Sequence, residues 1–334
     1  MSTPAEALPR WDMSVVYPSL ESPEFAAGFA ATVAAIDDLG RLFDALGIAK
    51  REPAPLDDAT VRTYEDATNA YNDVLRRVMT LSAYIAAFVT TNTRDDLAQA
   101  RQSELQQHAV RLAQLGTRYT AWIGALDVSE LIERSPLAAE HAFALRQAKE
   151  RAAHLMSPAE EALAAELGVT GGSAWAKLHG NVSSQLVVPV ALVGETRELP
   201  MSAVRNLAFD RDREVRRQAY EAELAGWERV AVPLAAALNS IKGQGNTLAR
   251  HRGWATPLDA AIFDANIDRQ TLDAMMTAAF ESFPDFRRYL KAKARALGIE
   301  RLAWYDLFAP VGEAGRAWSF DEAARFVVAQ FGTY

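Results

Sequence analysis

The feature that most constrains this chain is a succession of long stretches in which apolar residues recur three and four apart, each opened by a capping residue. Ser22-Pro23-Glu24 supplies an N-cap, a proline at the first helical position and an acid in the first turn. Phe25, Phe29, Val33, Ile36, Leu39, Phe43 and Leu46 then mark one face, and Gly47 stops the run. After Pro53 and Pro55 a second pattern runs from Asp58 to Phe88 through Val61, Tyr64, Tyr71, Val74, Leu75, Val78, Leu81 and Ile85. Thr93-Arg94-Asp95-Asp96 resembles a capping box for a third helix reaching Ile123, antiparallel to the second.

Further starts are legible at Ser135-Pro136 and at Ser157-Pro158-Ala159-Glu160, a full capping box whose helix ends at Gly168. The composition then changes. Gly171-Gly172 precedes the β-branched run from Ser183 to Val193, which predicts a hairpin turning at Gly194-Glu195-Thr196, with Pro189 confining its strand to an edge. Helices resume at Ser202, and a long one from Asp210 to Arg250 is expected to kink at Pro233. Thr256-Pro257, Asp268 and Ser319-Phe320-Asp321-Glu322 open three more. The expected fold is mainly α, long antiparallel helices with one small β-hairpin near 183–199. The Gly-rich, strand-bearing segment divides 1–200 from 201–334.

The 334 residues carry a formal net charge of −8, which excludes a nucleic-acid binder driven by bulk charge. With no cysteine there is no disulfide, thiolate nucleophile or Cys-ligated metal. Residues 1–18 show no apolar core of a signal peptide. The charge-free stretch Val230 to Ile241 is well short of the roughly 20 residues that cross a bilayer. A cytoplasmic protein with no membrane or nucleic-acid partner is expected.

Chemistry is harder to find. No histidine is followed by Glu: His108, His141, His154, His179 and His251 precede Ala, Ala, Leu, Gly and Arg, so the H-E-x-x-H zinc motif is not in this sequence. The Glu-x-x-His of di-iron bundles fails as well, since Leu105, Ala138, Arg151, Ala176 and Leu248 stand three before the histidines. Glu104 and His108 share a helix face and read as a solvated pair. Gly171-Gly172-Ser173-Ala174-Trp175 is compared with a nucleophile elbow, but Trp175 replaces the second glycine, and a loop before a helix capped by Ser173 is expected. Gly243-Gln244-Gly245 follows no strand and is not a dinucleotide fingerprint. Arg287, Arg288, Lys291, Lys293 and Arg295 read as the solvated face of a helix whose apolar side packs inward. Trp304-Tyr305-Asp306-Leu307-Phe308-Ala309-Pro310 either lines a ligand surface or anchors a loop.

Four segments, in order, carry a resemblance: Trp11-Asp12-Met13-Ser14 with Tyr17-Pro18-Ser19, Arg211 to Tyr220, Ala249 to Trp254, and Trp304 to Pro310. Together they resemble the oligoendopeptidase F family, relatives of thimet oligopeptidase. That resemblance implies a mostly helical zinc metalloendopeptidase of oligopeptides with a deep channel, in which zinc polarises the scissile carbonyl and a Glu activates water. It also implies that the zinc motif and a third Glu ligand lie C-terminal to the Trp-Tyr-Asp segment. No catalytic, cofactor-binding or metal-binding residue therefore carries over, and no bound zinc is expected in this chain. The expectation is the N-terminal portion of such an enzyme, inactive alone, with the missing C-terminal half as a partner. The alternative is a catalytically silent peptide-binding or interaction module. His251 is expected near a helix end, and the stripe Phe320, Val327 and Phe331 is expected to lack cover and to favour association.

Overall fold

A computed structural model describes residues 11–192, 194–312 and 316–333. The described residues form two compact units, one within 16–187 and 225–280, the other within 11–15, 188–224 and 281–333.

The larger unit begins with α1 (Pro23–Ala45), α2 (Asp58–Thr91) and α3 (Asp96–Gly124), each packed on the other two. The Ser22 hydroxyl accepts the Phe25 N–H at 3.1 Å, and Gly47 adopts φ +64° past the helix end, as its place in the sequence requires. Short helices α4 (Val128–Arg134), α5 (Pro136–Glu140) and α6 (Ala142–Ala153) close the core. Ile36, Phe43, Tyr64, Val74, Leu115, Trp122, Leu131 and Leu145 are buried together there. Burial raises the phenol pKa values of Tyr64, Tyr71 and Tyr119; Tyr119 stacks on Phe43 and shares a 2.7 Å hydrogen bond with Thr68. Among the described residues α2 is the one helix long and apolar enough to cross a membrane. Its Tyr64 and Val74 belong to this core, and Tyr84 sits against the rings of Tyr17 and Phe25.

Two local expectations are corrected here. The cap of α3 is Asp95, which accepts the Ala98 N–H at 3.0 Å, not Thr93. The carboxylate three residues before that N–H is the better acceptor, and the Thr93 hydroxyl meets Ser184 instead. The Gly171-Gly172 segment is not a loop ending at a Ser173 cap: α7 (Pro158–Gly168) runs through a π turn (Val169–Ser173) into α8 (Ala174–Ser184). Ser173 is helical with no capping bond, while Gly171 takes the one non-helical conformation. The turn persists because Gln244 lies against both glycines and accepts the Gly172 N–H.

The capping box of Ser157 and Glu160 is present as expected. Ser183 and Ser184 belong to α8, where their hydroxyls donate to carbonyls of its last turn, so the strand begins later than the β-branched composition suggests. The hairpin is β1 (Val187–Leu192) and β2 (Glu195–Pro200), with Gly194 at φ +89° in the turn and Glu195 and Thr196 already in β2; Val193 lies outside the described residues. Val188 and Val190 are buried while Pro189 points outward on a strand with one free side.

After α9 (Met201–Asn206), the long helix expected to kink at Pro233 is two helices, α10 (Arg213–Arg229) and α11 (Ala231–His251), broken at Val230. The Pro233 ring would collide with the Arg229 carbonyl four residues back, so the chain leaves helical geometry there and restarts with the proline in a first turn. Then follow α12 (Pro257–Asp264, capped by Thr256), α13 (Arg269–Ala296) and α14 (Phe320–Phe331) with the Ser319–Glu322 capping box. The apolar side of α13 does not pack inward as expected. Met275, Phe280, Phe286 and Tyr289 are exposed, and so are Phe320, Val327, Val328 and Phe331 of α14.

Gly124 of α3 faces Ala152 of α6 so closely that a Cβ there would overlap the Ala152 methyl. Gly124→Ala is expected to destabilise by about 1–2 kcal/mol, because overpacking outweighs the gain in helix propensity. Adding Ala152→Gly should restore most of the loss in a denaturant titration.

Candidate functional site

Three of the four segments that carried the resemblance take part in buried polar contacts, in two separate networks. In the smaller unit, Asp306 is fully buried in the short turn Trp304–Asp306. Its carboxylate accepts from Arg213 Nη2 at 2.9 Å and Arg216 Nη2 at 3.1 Å, both on α10, and from its own turn through the Ala303 N–H at 2.9 Å. Arg216, itself buried, also donates to the carbonyls of Asp210, Arg211 and Tyr305. Arg213 lies over the Tyr305 ring at 5.1 Å. Burial pushes the Asp306 carboxyl up, but the two guanidinium groups and the Ala303 N–H outweigh it and hold it below the usual carboxylate range. Lys293 of α13 donates to the Leu307 carbonyl at 2.7 Å.

The segment Trp304 to Pro310 is anchored through its acid and not through buried aromatics. Trp304 and Phe308 remain exposed. Every oxygen of Asp306 has partners of fixed position, which is the arrangement of a structural clasp and leaves no lone pair aimed at a substrate.

The larger unit holds a second network. Glu161 of α7, buried, accepts from Arg252 Nε and Nη2 at 3.0 and 2.7 Å and from the Met156 N–H at 3.2 Å. The Arg252 carbonyl meets His154 Nδ1 at 3.1 Å, and the His154 ring stacks on Trp254 with centroids 3.6 Å apart. His251, the last residue of α11, is exposed at that helix end.

A zinc site needs converging imidazoles and carboxylates at about 2 Å from the metal. Among the described residues no group of three or more His, Asp or Glu side chains could hold a metal ion. The histidines are dispersed: His108 meets the Phe29 ring edge-on, His141 bonds Asn72 and the Leu137 carbonyl, and His154 is held as above. Glu104 pairs with Arg101 and not with His108. The donor set therefore does not fit zinc. Ser173 follows no strand, Gly243 and Gly245 lie inside α11, and Arg288 pairs with Asp285 on its own helix. Of these, the Gly171-Gly172-Ser173 and Gly243-Gln244-Gly245 segments meet, through the Gln244 side chain, in the contact that holds the π turn.

Comparisons with known proteins match this architecture. Residues 123–187 match the oligopeptidase F model and residues 206–325 the peptidase family M3 model. The chain belongs to peptidase family M3, in its oligoendopeptidase F branch. Group B oligopeptidase PepB of Streptococcus agalactiae is 25% identical over 174 residues, 52% of this chain and 29% of that protein. An oligoendopeptidase F homolog of Lactococcus lactis is 25% identical over 219 residues, 64% of this chain and 35% of that protein. The structure of oligoendopeptidase-F from Enterococcus faecium superposes with a TM-score of 0.74 at 18% identity, over 87% of this chain and 56% of that one. The chain thus spans about a third of the length of these curated relatives and about half of that solved structure.

Proposed function

We propose that this chain is the scaffold portion of an oligoendopeptidase F-type peptidase that acts on oligopeptides, with the zinc and its ligands supplied by residues outside this sequence. In this reading residues 1–200 form the N-terminal wall of the substrate channel and residues 201–334 the first part of the catalytic domain. The enzyme works in the cytoplasm.

One observation carries the proposal. The peptidase family M3 match spans 206–325, yet the residues conspicuous in that span, Arg213, Arg216 and Asp306, are committed to holding α10 to the 303–307 turn. None of the five histidines joins a carboxylate pair. The exposed apolar residues of α13 and α14 supply a surface on which further parts of the family fold would pack.

The purified 334-residue chain is expected to leave a fluorogenic oligopeptide uncleaved, with or without added zinc. Turnover by homogeneous protein that a chelator abolishes and zinc restores would contradict the proposal.

A further inference from the structure

Between α3, α6, the start of α7 and the segment 49–53 lies a half-open cleft of about 690 Å³. That volume falls within the range of small-molecule sites. Its floor is apolar, from Ala121, Ala152, Leu155 and Met156, and its charges are unbalanced.

Two of the charged groups at the cleft are already neutralised: Glu161 by Arg252, and Arg118 by Asp44 at 2.9 Å. The remaining ones are Lys50, Arg51 and Lys149 against Glu52. The Lys149 ammonium donates to the carbonyls of Gly124 and Leu126, at 2.7 and 2.8 Å, where α3 ends. A lysine carries three N–H donors. One donor and the whole charge are thus left over, with no carboxylate at ion-pair distance among the described residues. Arg51 lies over the buried Trp122 ring, 5.5 Å from its centroid, which holds a second cation at the same cleft without an acidic partner. An adjoining cavity of about 700 Å³ shares Pro53, Ala125 and Lys149, so Lys149 lines both. That second cavity brings Asp127, Arg146 and Glu150, whose charges leave the excess positive charge near Lys149 reduced but not reversed.

We propose that this cleft binds a small carboxylate with an apolar body, the carboxylate meeting Lys149 and Arg51 and the body covering Ala121, Ala152 and Met156. A peptide C-terminus and a medium-chain acyl carboxylate share this chemistry. The site lies wholly within 49–162 and makes no use of the peptidase reading, so it stands or falls by binding alone.

The test is calorimetric titration of the full chain with N-acetyl-leucyl-phenylalanine and with decanoate, each beside its own carboxamide. At least one acid is expected to bind one per chain, with its amide at least about tenfold weaker, since the charge-assisted bond is lost. Binding of the peptide acid alone assigns a peptide C-terminus, and of decanoate alone an acyl chain. Lys149→Gln should weaken the acid about tenfold. Because Lys149 also holds the end of α3, the second variant is Ala153→Phe, which keeps both cations, fills the cleft from an exposed position one helical turn beyond Lys149 and should abolish binding. Acid and amide bound equally, neither acid bound at about 1 mM, or binding unchanged in Ala153→Phe would each overturn the proposal.

Discussion

Replacing Asp306 with alanine is expected to lower the stability of the unit containing 188–224 and 281–333 by about 3 kcal/mol, because it strands a buried charge. Arg216 is 3% exposed and, among the described residues, has Asp306 as its only carboxylate partner in ion-pair range. Arg213 is 46% exposed and can turn to water, so its share of the loss is small. A urea titration of the two proteins measures the difference. Arg216→Met combined with Asp306→Ala should recover much of it, since an apolar pair of similar volume no longer leaves a guanidinium without partner.

The pH dependence has a definite sign. The folded-state carboxyl titrates below its ordinary value, so the clasp contributes fully above the unfolded value near 4 and is lost as pH falls through the lowered one. As pH falls from about 4 through that lowered value, the wild-type chain should lose stability that the Asp306→Ala variant has already lost, and the two curves should converge.

Trp122→Ala is expected to cost the larger unit about 4 kcal/mol. The indole is 1% exposed, lies 6.2 Å from the Tyr119 ring and sits below the Arg51 guanidinium. Its removal leaves a cavity that the aromatic stack of Phe43, Tyr71 and Tyr119 is too rigid to fill. Trp122→Phe should lose roughly half as much, and thermal melts of the three proteins order them.

Local signals translated well into local structure. Ser22, Ser157, Thr256 and Ser319 cap the helices they precede, because a capping bond spans only three residues and is decided by the chain on either side. Where two neighbours compete, geometry chooses, as it does for Asp95 over Thr93. The π turn at 169–173 was out of reach, since its stability comes from Gln244, 72 residues away.

The clasp was illegible for the same reason. Asp306 lies 90 residues from Arg216, and in sequence it is one of 43 acids beside more conspicuous aromatics. A usable signal existed: three arginines within 211–216 and an acid inside the aromatic-proline segment both fall in the segments that carried the family resemblance. Charged residues of opposite sign in two such segments suggest a pair. The exposed side of α13 shows the converse limit. Its periodicity correctly marks an apolar face, but periodicity does not say which segment covers it.

On the proposed reading these 334 residues build peptidase scaffold without its metal centre. Equilibrium dialysis of the purified chain against micromolar zinc, followed by elemental analysis, checks this. Far less than one zinc per chain is expected after a brief wash. One zinc per chain, retained through washing and lost when a histidine is replaced, would contradict it.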